Sequence, residues 1–126
     1  MERRQSLGML LDDVYTALDN DLGVFAVIGL RTIFDRSSEL LKVDQSKTFA
    51  QKLDELVSKG KISPHERELL DVLTEAGNAA AHRGWRPSAD ELNTLMTIAE
   101  QFVLRAFVLE DQAKELKAKV PPRQKP

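Results

Sequence analysis

Asp71, Glu75, Asn78 and His82 follow one another at steps of four, three and four, the spacing that lines side chains up along one side of a helix. An imidazole closing such a row, with an amide one turn before it, is the equipment of a general base and of a group that orients what the base acts on. A plainer role fits the same residues. A histidine in the last turn of a helix meets free carbonyls and the negative end of the dipole, and Asn78 can bond to it or to nearby backbone. Residue types leave both readings open. Just past the row, Arg83, Trp85 and Arg86 form a small basic, aromatic corner of the kind that holds a phosphate or stacks on a base. Its plain counterpart is a solvated loop with Trp85 covering a helix end. Arg31, set in an apolar stretch, is expected to pair with Asp71 or Glu75 across the bundle rather than to hold a phosphate.

Other chemistries fail on inventory. With no cysteine in 126 residues there is no thiol nucleophile, zinc ribbon or disulfide framework, which fits a reducing, cytoplasmic setting. His65 and His82, the only histidines, stand seventeen positions apart on one helix. At ~1.5 Å per residue they are too distant to share a metal, so no metal site and no cofactor are expected. Ser58-Lys59-Gly60-Lys61 lacks the first glycine and the spacing of a phosphate loop. Eighteen Lys plus Arg against 20 Asp plus Glu leave a net charge of −2, unlike the basic excess of a general nucleic-acid coat protein. The longest apolar run, Gly23 to Leu30, is eight residues, where a spanning helix needs about 20, so no membrane segment is expected. Glu2, Asp12 and Asp13 do not suit a signal peptide.

The elements that must carry these residues are helices. Apolar positions recur at three and four residues, and no stretch sustains a period of two. Five helices are predicted. The first covers Ser6 to Leu18, with Leu7, Leu11, Val14 and Leu18 on one stripe. After a break at 19–23, Ala26, Val27, Leu30, Ile33 and Phe34 mark a central helix, apolar on most sides. A third, Ser46 to Ser58, stops at Gly60. The fourth opens with Ser63 as cap, Pro64 in the first turn and Glu66 reaching back, and closes at Gly84. Ser88 and Glu91 repeat that capping box for the fifth and longest, whose stripe runs from Leu92 through Phe107 and thins beyond Ala113. Short connections force antiparallel neighbours, so the fold class is all-α, an antiparallel bundle in one domain over 1–119. Residues 120–126, Val-Pro-Pro-Arg-Gln-Lys-Pro, lack the apolar content to pack and are expected to form a disordered tail. Chains of this size bury about two-thirds of their unfolded surface, enough for a core without staples.

One stretch of the fourth helix is unusually small: Ala76-Gly77-Asn78-Ala79-Ala80-Ala81. Glycine inside a helix costs about 1 kcal/mol relative to alanine, and close approach by another helix, of this chain or of a second subunit, would account for it. Asn78 and His82 then sit at the edge of that contact.

The segment Gly77 to His82 resembles the G-N-x-A-A-H signature of a bacterial family, the domain of unknown function four-one-four-five, related to the HEPN superfamily of helical bundles. Gly29-Leu30-Arg31-Thr32-Ile33-Phe34-Asp35 and the spacing of Leu53, Leu56, Gly60 and Ile62 extend the likeness over about Val14 to Phe107. The resemblance implies a HEPN-like bundle and a homodimer. Many HEPN-like domains are metal-independent ribonucleases in which four to six residues separate an arginine from the histidine. His82 matches that histidine, but Glu75, Ala76 and Gly77 occupy the arginine positions, and Thr74 replaces the arginine frequent in relatives. A carboxylate near a phosphate opposes the charge a guanidinium would stabilise. The expectation is therefore a non-catalytic homodimer, paired through its fourth or fifth helix, serving as a binding or regulatory module. Its candidate binding residues are Arg31, Glu75, Asn78, His82 and Arg83, with a protein partner favoured over RNA. The alternative is a ribonuclease using His82, Asn78 and a displaced arginine, Arg31 or Arg83.

Overall fold

The computed structural model describes residues 2–124, and among them there is no strand. Five helices follow in order: α1 (Glu2–Asp19), α2 (Gly23–Leu40), α3 (Phe49–Ser58), α4 (Pro64–Arg83) and α5 (Ala89–Lys119). The chain is a small helical bundle.

Helix α2 is its centre. Ala26, Val27, Leu30, Ile33 and Phe34 are all but fully buried, and α1, α4 and α5 pack around it. Helix α3 lies against α4. The α1–α2 contact is close at Gly29, where a Cβ would fall 2.7 Å from a methyl of Val14. Residues Ser37 and Ser38 extend the buried face of α2 with hydroxyls, and Ser38 returns its own to the Asp35 carbonyl at 2.8 Å.

Local signals set the ends of α4 and α5. Ser63 and Ser88 each accept from the backbone N–H three residues on, and Glu66 and Glu91 each reach back to the cap N–H. Gly60 and Gly84 take the left-handed conformation, φ 71° and 64°, that turns the chain out of α3 and α4. The predicted start of α3 at Ser46 is corrected to Phe49. Asp44 draws both the N–H and the hydroxyl of Ser46 onto one carboxylate oxygen, at 2.9 and 2.7 Å, so the chain turns there and Thr48 becomes the cap. Helix α1 starts earlier than its apolar stripe, at Glu2.

Helix α5 carries its buried face only as far as Phe102. From Leu104 to Leu109 it widens into π-helical turns, and from Glu110 to Lys119 no residue is buried. A π turn adds residues to each revolution and swings the apolar stripe off the seam it followed. Leu104, Val108, Leu109 and Leu116 are consequently exposed. Val120 then leaves the helix in extended backbone, ahead of Pro121 and Pro122, which cannot continue it. Of the predicted tail, residues 125 and 126 lie outside the described residues. By length and composition α5 has the dimensions of a membrane span, with an 18-residue window of mean hydropathy 1.3. Its Leu95, Met96, Ala99 and Phe102 nevertheless belong to the core of the bundle.

Tyr15 ties α1 to α5 by donating its hydroxyl to the Glu100 carboxylate. That bond, with some burial and the charges of Glu100 and Asp12, pushes the phenol up to about 12. It is the only tyrosine, so phenolate absorbance reads it directly. The native protein should titrate near pH 12, and Glu100→Gln should bring the midpoint back toward the ordinary value of about 10. A folded pKa above the unfolded one means that this tie stabilises fully below about pH 10 and is lost as the pH climbs to about 12. An unshifted wild-type midpoint would refute the contact.

Candidate functional site

Gly77 is buried on α4, and what lies across it is a side chain rather than a backbone. A Cβ at this position would stand 2.6 Å from Cβ, 2.9 Å from Cδ and 3.1 Å from Cγ of Arg31. The glycine is therefore the seat of the arginine's aliphatic stem, supplied by α2 of the same chain. Beyond the stem, the guanidinium carbon sits 4.2 Å from the ring centroid of Phe49, the first residue of α3. Three helices thus meet at one cation.

The predicted pairing of Arg31 with Asp71 or Glu75 is not formed. Asp71 and Glu75 are exposed, more than 100° around α4 from Gly77 at ~100° per residue, whereas the Arg31 stem runs over Gly77 itself. Nε of Arg31 is shut off from solvent without a hydrogen-bond partner. Asp35, one turn further along α2, faces Lys52 instead, 3.6 Å from its Nζ. Lys52 is buried, donates to Gln45 Oε1 at 3.0 Å, and lies 5.5 Å from the same Phe49 ring. Two cations thus flank one ring beside one carboxylate. Oδ1 of that carboxylate is itself buried and accepts no hydrogen bond.

Asn78 follows Gly77 and is half-buried. Arg67, eleven residues earlier and hence on the same flank of α4, holds Asp54 at 2.7 Å and reaches the Ala50 carbonyl of α3. Because α3 begins at Phe49, the flank at Asn78 and His82 extends past its end. His82 is exposed, and among the described residues neither its ring nor the Asn78 amide makes a hydrogen bond. Glu75 and Arg83, both exposed, approach each other at 4.0 Å. Trp85 packs half-buried on the core, and its backbone N–H bonds to the Ala79 carbonyl at 3.1 Å, while Arg86 is exposed. Thr74 is 2% exposed and spends its hydroxyl on the Asp71 carbonyl at 3.0 Å, a role inside its own helix. Of the candidates, the structure brings Arg31 to Gly77 and Glu75 to Arg83. His82 stands apart.

The family described as Domain of unknown function (DUF4145) matches residues 12–119. The chain belongs to the DUF4145 family. No curated protein and no solved structure matches it. Two residues at the centre of this DUF4145 domain's site, Phe49 and Lys52, escape a reading of the sequence for chemistry. Phe49 looks like ordinary core at the start of α3. Lys52 carries a usable signal: it sits between Phe49, Leu53 and Leu56 on the apolar side of the helix, where a lysine is out of place unless something holds its charge.

Proposed function

We propose that this domain is a non-catalytic, HEPN-like helical bundle that pairs with a second copy and serves as a binding or regulatory module of the cytoplasm. The observation that carries the reading is the unpartnered stripe on the far end of α5. Leu109, Ala113, Leu116 and Val120 recur at four, three and four residues along a segment with no buried residue. An apolar seam of this spacing suits a second helix. The charges suggest the occupant: Glu110 and Asp111 begin the segment, and Lys117 and Lys119 end it. Laid antiparallel, a second copy sets each acidic end against a basic one. The small face of α4 is filled by Arg31 of the same chain, so α5 is the better dimer element.

The lack of an orienting partner for His82 supports the non-catalytic part, because a general base works when a second group fixes its ring. Arg83 lies toward Glu75 and Arg31 is seated on Phe49, so neither is tied to the histidine.

Light scattering should return a dimer for the wild type at micromolar concentration and a monomer for Leu109→Glu/Leu116→Glu. Met9→Glu, an equally exposed apolar residue on α1, should leave the dimer intact. A monomeric wild type, or a dimer indifferent to the paired change, would overturn self-association. Single-stranded RNA should survive incubation in EDTA. Cleavage lost in His82→Ala and kept in His65→Ala would put the ribonuclease in place of this reading.

A further inference from the structure

We propose that Arg31 forms a binding site for a single phosphate group at the junction of α2, α3 and α4; this deepens the binding-module reading and rests on it. A guanidinium in a partly buried position ordinarily has a carboxylate, because its desolvation is otherwise uncompensated. Arg31 has none. Asp35 lies against Lys52, and the acids of α4 face solvent. Nε is closed off and unbonded, while the residue as a whole is only half-buried, so the terminal nitrogens are left to meet a ligand.

Preorganisation is the second argument. A free arginine loses rotamer freedom when it binds, and that loss weakens affinity. Here the stem is already set against Gly77 and the head against Phe49. Together the glycine, costly in a helix interior, and the arginine without a counterion make one device that holds a planar fork of donors in place.

The donor set indicates the ligand class. A carboxylate is satisfied by a guanidinium fork alone. A phosphate carries more negative charge, which suits two cations, Arg31 and buried Lys52, held at one Phe49 ring with the single Asp35 carboxylate beside Lys52.

The test follows the arginine Nε–H signals of the full chain by NMR during titration with inorganic phosphate, with AMP, and with acetate at matched ionic strength. Expected is a saturable shift of one signal with phosphate or AMP and none with acetate, accompanied by the Gly77 backbone amide. AMP binding more tightly than phosphate would identify a nucleotide as the source of the group; equal binding would identify the free ion. Arg31→Met keeps an unbranched stem over Gly77 and should remove that signal and weaken binding by about tenfold or more. Arg31→Lys keeps the charge without the fork and serves the same purpose should the methionine variant fail to fold. Equal binding in these variants, a response confined to other arginines, or no response to phosphate overturns the proposal. So does an RNA oligonucleotide that binds through Arg31 while phosphate and AMP are inert. Light scattering on the same samples reads self-association separately, so either idea can fail alone.

Discussion

Phe34→Ala should lower the free energy of unfolding by about 3 to 5 kcal/mol, the range for truncating a buried aromatic side chain. Phe34 is fully buried at the middle of α2. Its ring meets Phe102 of α5 at 5.8 Å between centroids and Phe49 of α3 at 6.4 Å, both tilted. One side chain therefore joins three helices, and the neighbours that would have to collapse into the void belong to different elements. Set against a total stability of about 5 to 15 kcal/mol, the loss is a large fraction of the fold. Urea denaturation followed by the single tryptophan, Trp85, measures it. Phe25→Ala is the control: it lies on the same helix and is 67% exposed, so it should change stability by less than about 0.5 kcal/mol. A Phe34 loss below about 1 kcal/mol, or a Phe25 loss of equal size, would contradict the placement of α2 at the centre. Because the Phe49 ring also supports Arg31, Phe34→Ala should loosen the arginine's seat without touching it.

What could be read from the residues was what is decided within a few positions of the chain. Ser63 with Glu66 and Ser88 with Glu91 mark helix starts because donor and acceptor lie three residues apart, and no other part of the molecule has to cooperate. The buried face of α2 was legible for a similar reason, since a helix apolar on most sides has to be surrounded. The start of α3 was not, because a carboxylate side chain, Asp44, competes for the backbone and wins. The π turns of α5 left no mark in a stripe that continues past Phe102 in the one-dimensional pattern. Arg31 is the instructive failure. Its sequence position beside an apolar stripe suggests a partner acid, and Asp71 and Glu75 are available in number but on the wrong side of α4. Gly77 reads in the sequence as a place where the backbone of another helix, of this chain or of a second subunit, comes close. What approaches is an arginine stem, and nothing in the spacing distinguishes a stem from a helix backbone.

That substitution of stem for backbone leads to a sharp expectation: Gly77→Ala should destabilise the fold by about 1 to 3 kcal/mol, although alanine is the better helix former by about 1 kcal/mol. The added methyl would stand 2.6 Å from Arg31 Cβ, an atom fixed to its own helix rather than the free end of a flexible chain, so α2 and α4 have to move apart. Gly8→Ala, at a glycine with nothing within 4 Å, should go the other way and gain a few tenths of a kcal/mol or more. Arg31→Ala alone removes the stem from over Gly77 and the cation from over Phe49, and it should cost stability through lost packing as much as lost charge. In Gly77→Ala/Arg31→Ala the new methyl meets only the remaining Cβ, because Cγ and Cδ are gone. The double variant should accordingly be more stable than the two single losses sum to, by about 1 kcal/mol. Urea denaturation of the four proteins closes the cycle. Additivity within about 0.5 kcal/mol would mean that the two residues do not act as a unit. The 2.6 Å approach of the Arg31 Cβ, which Arg31→Ala retains, would then account for the glycine by itself, and the site at the junction would lose the seat that holds its guanidinium ready.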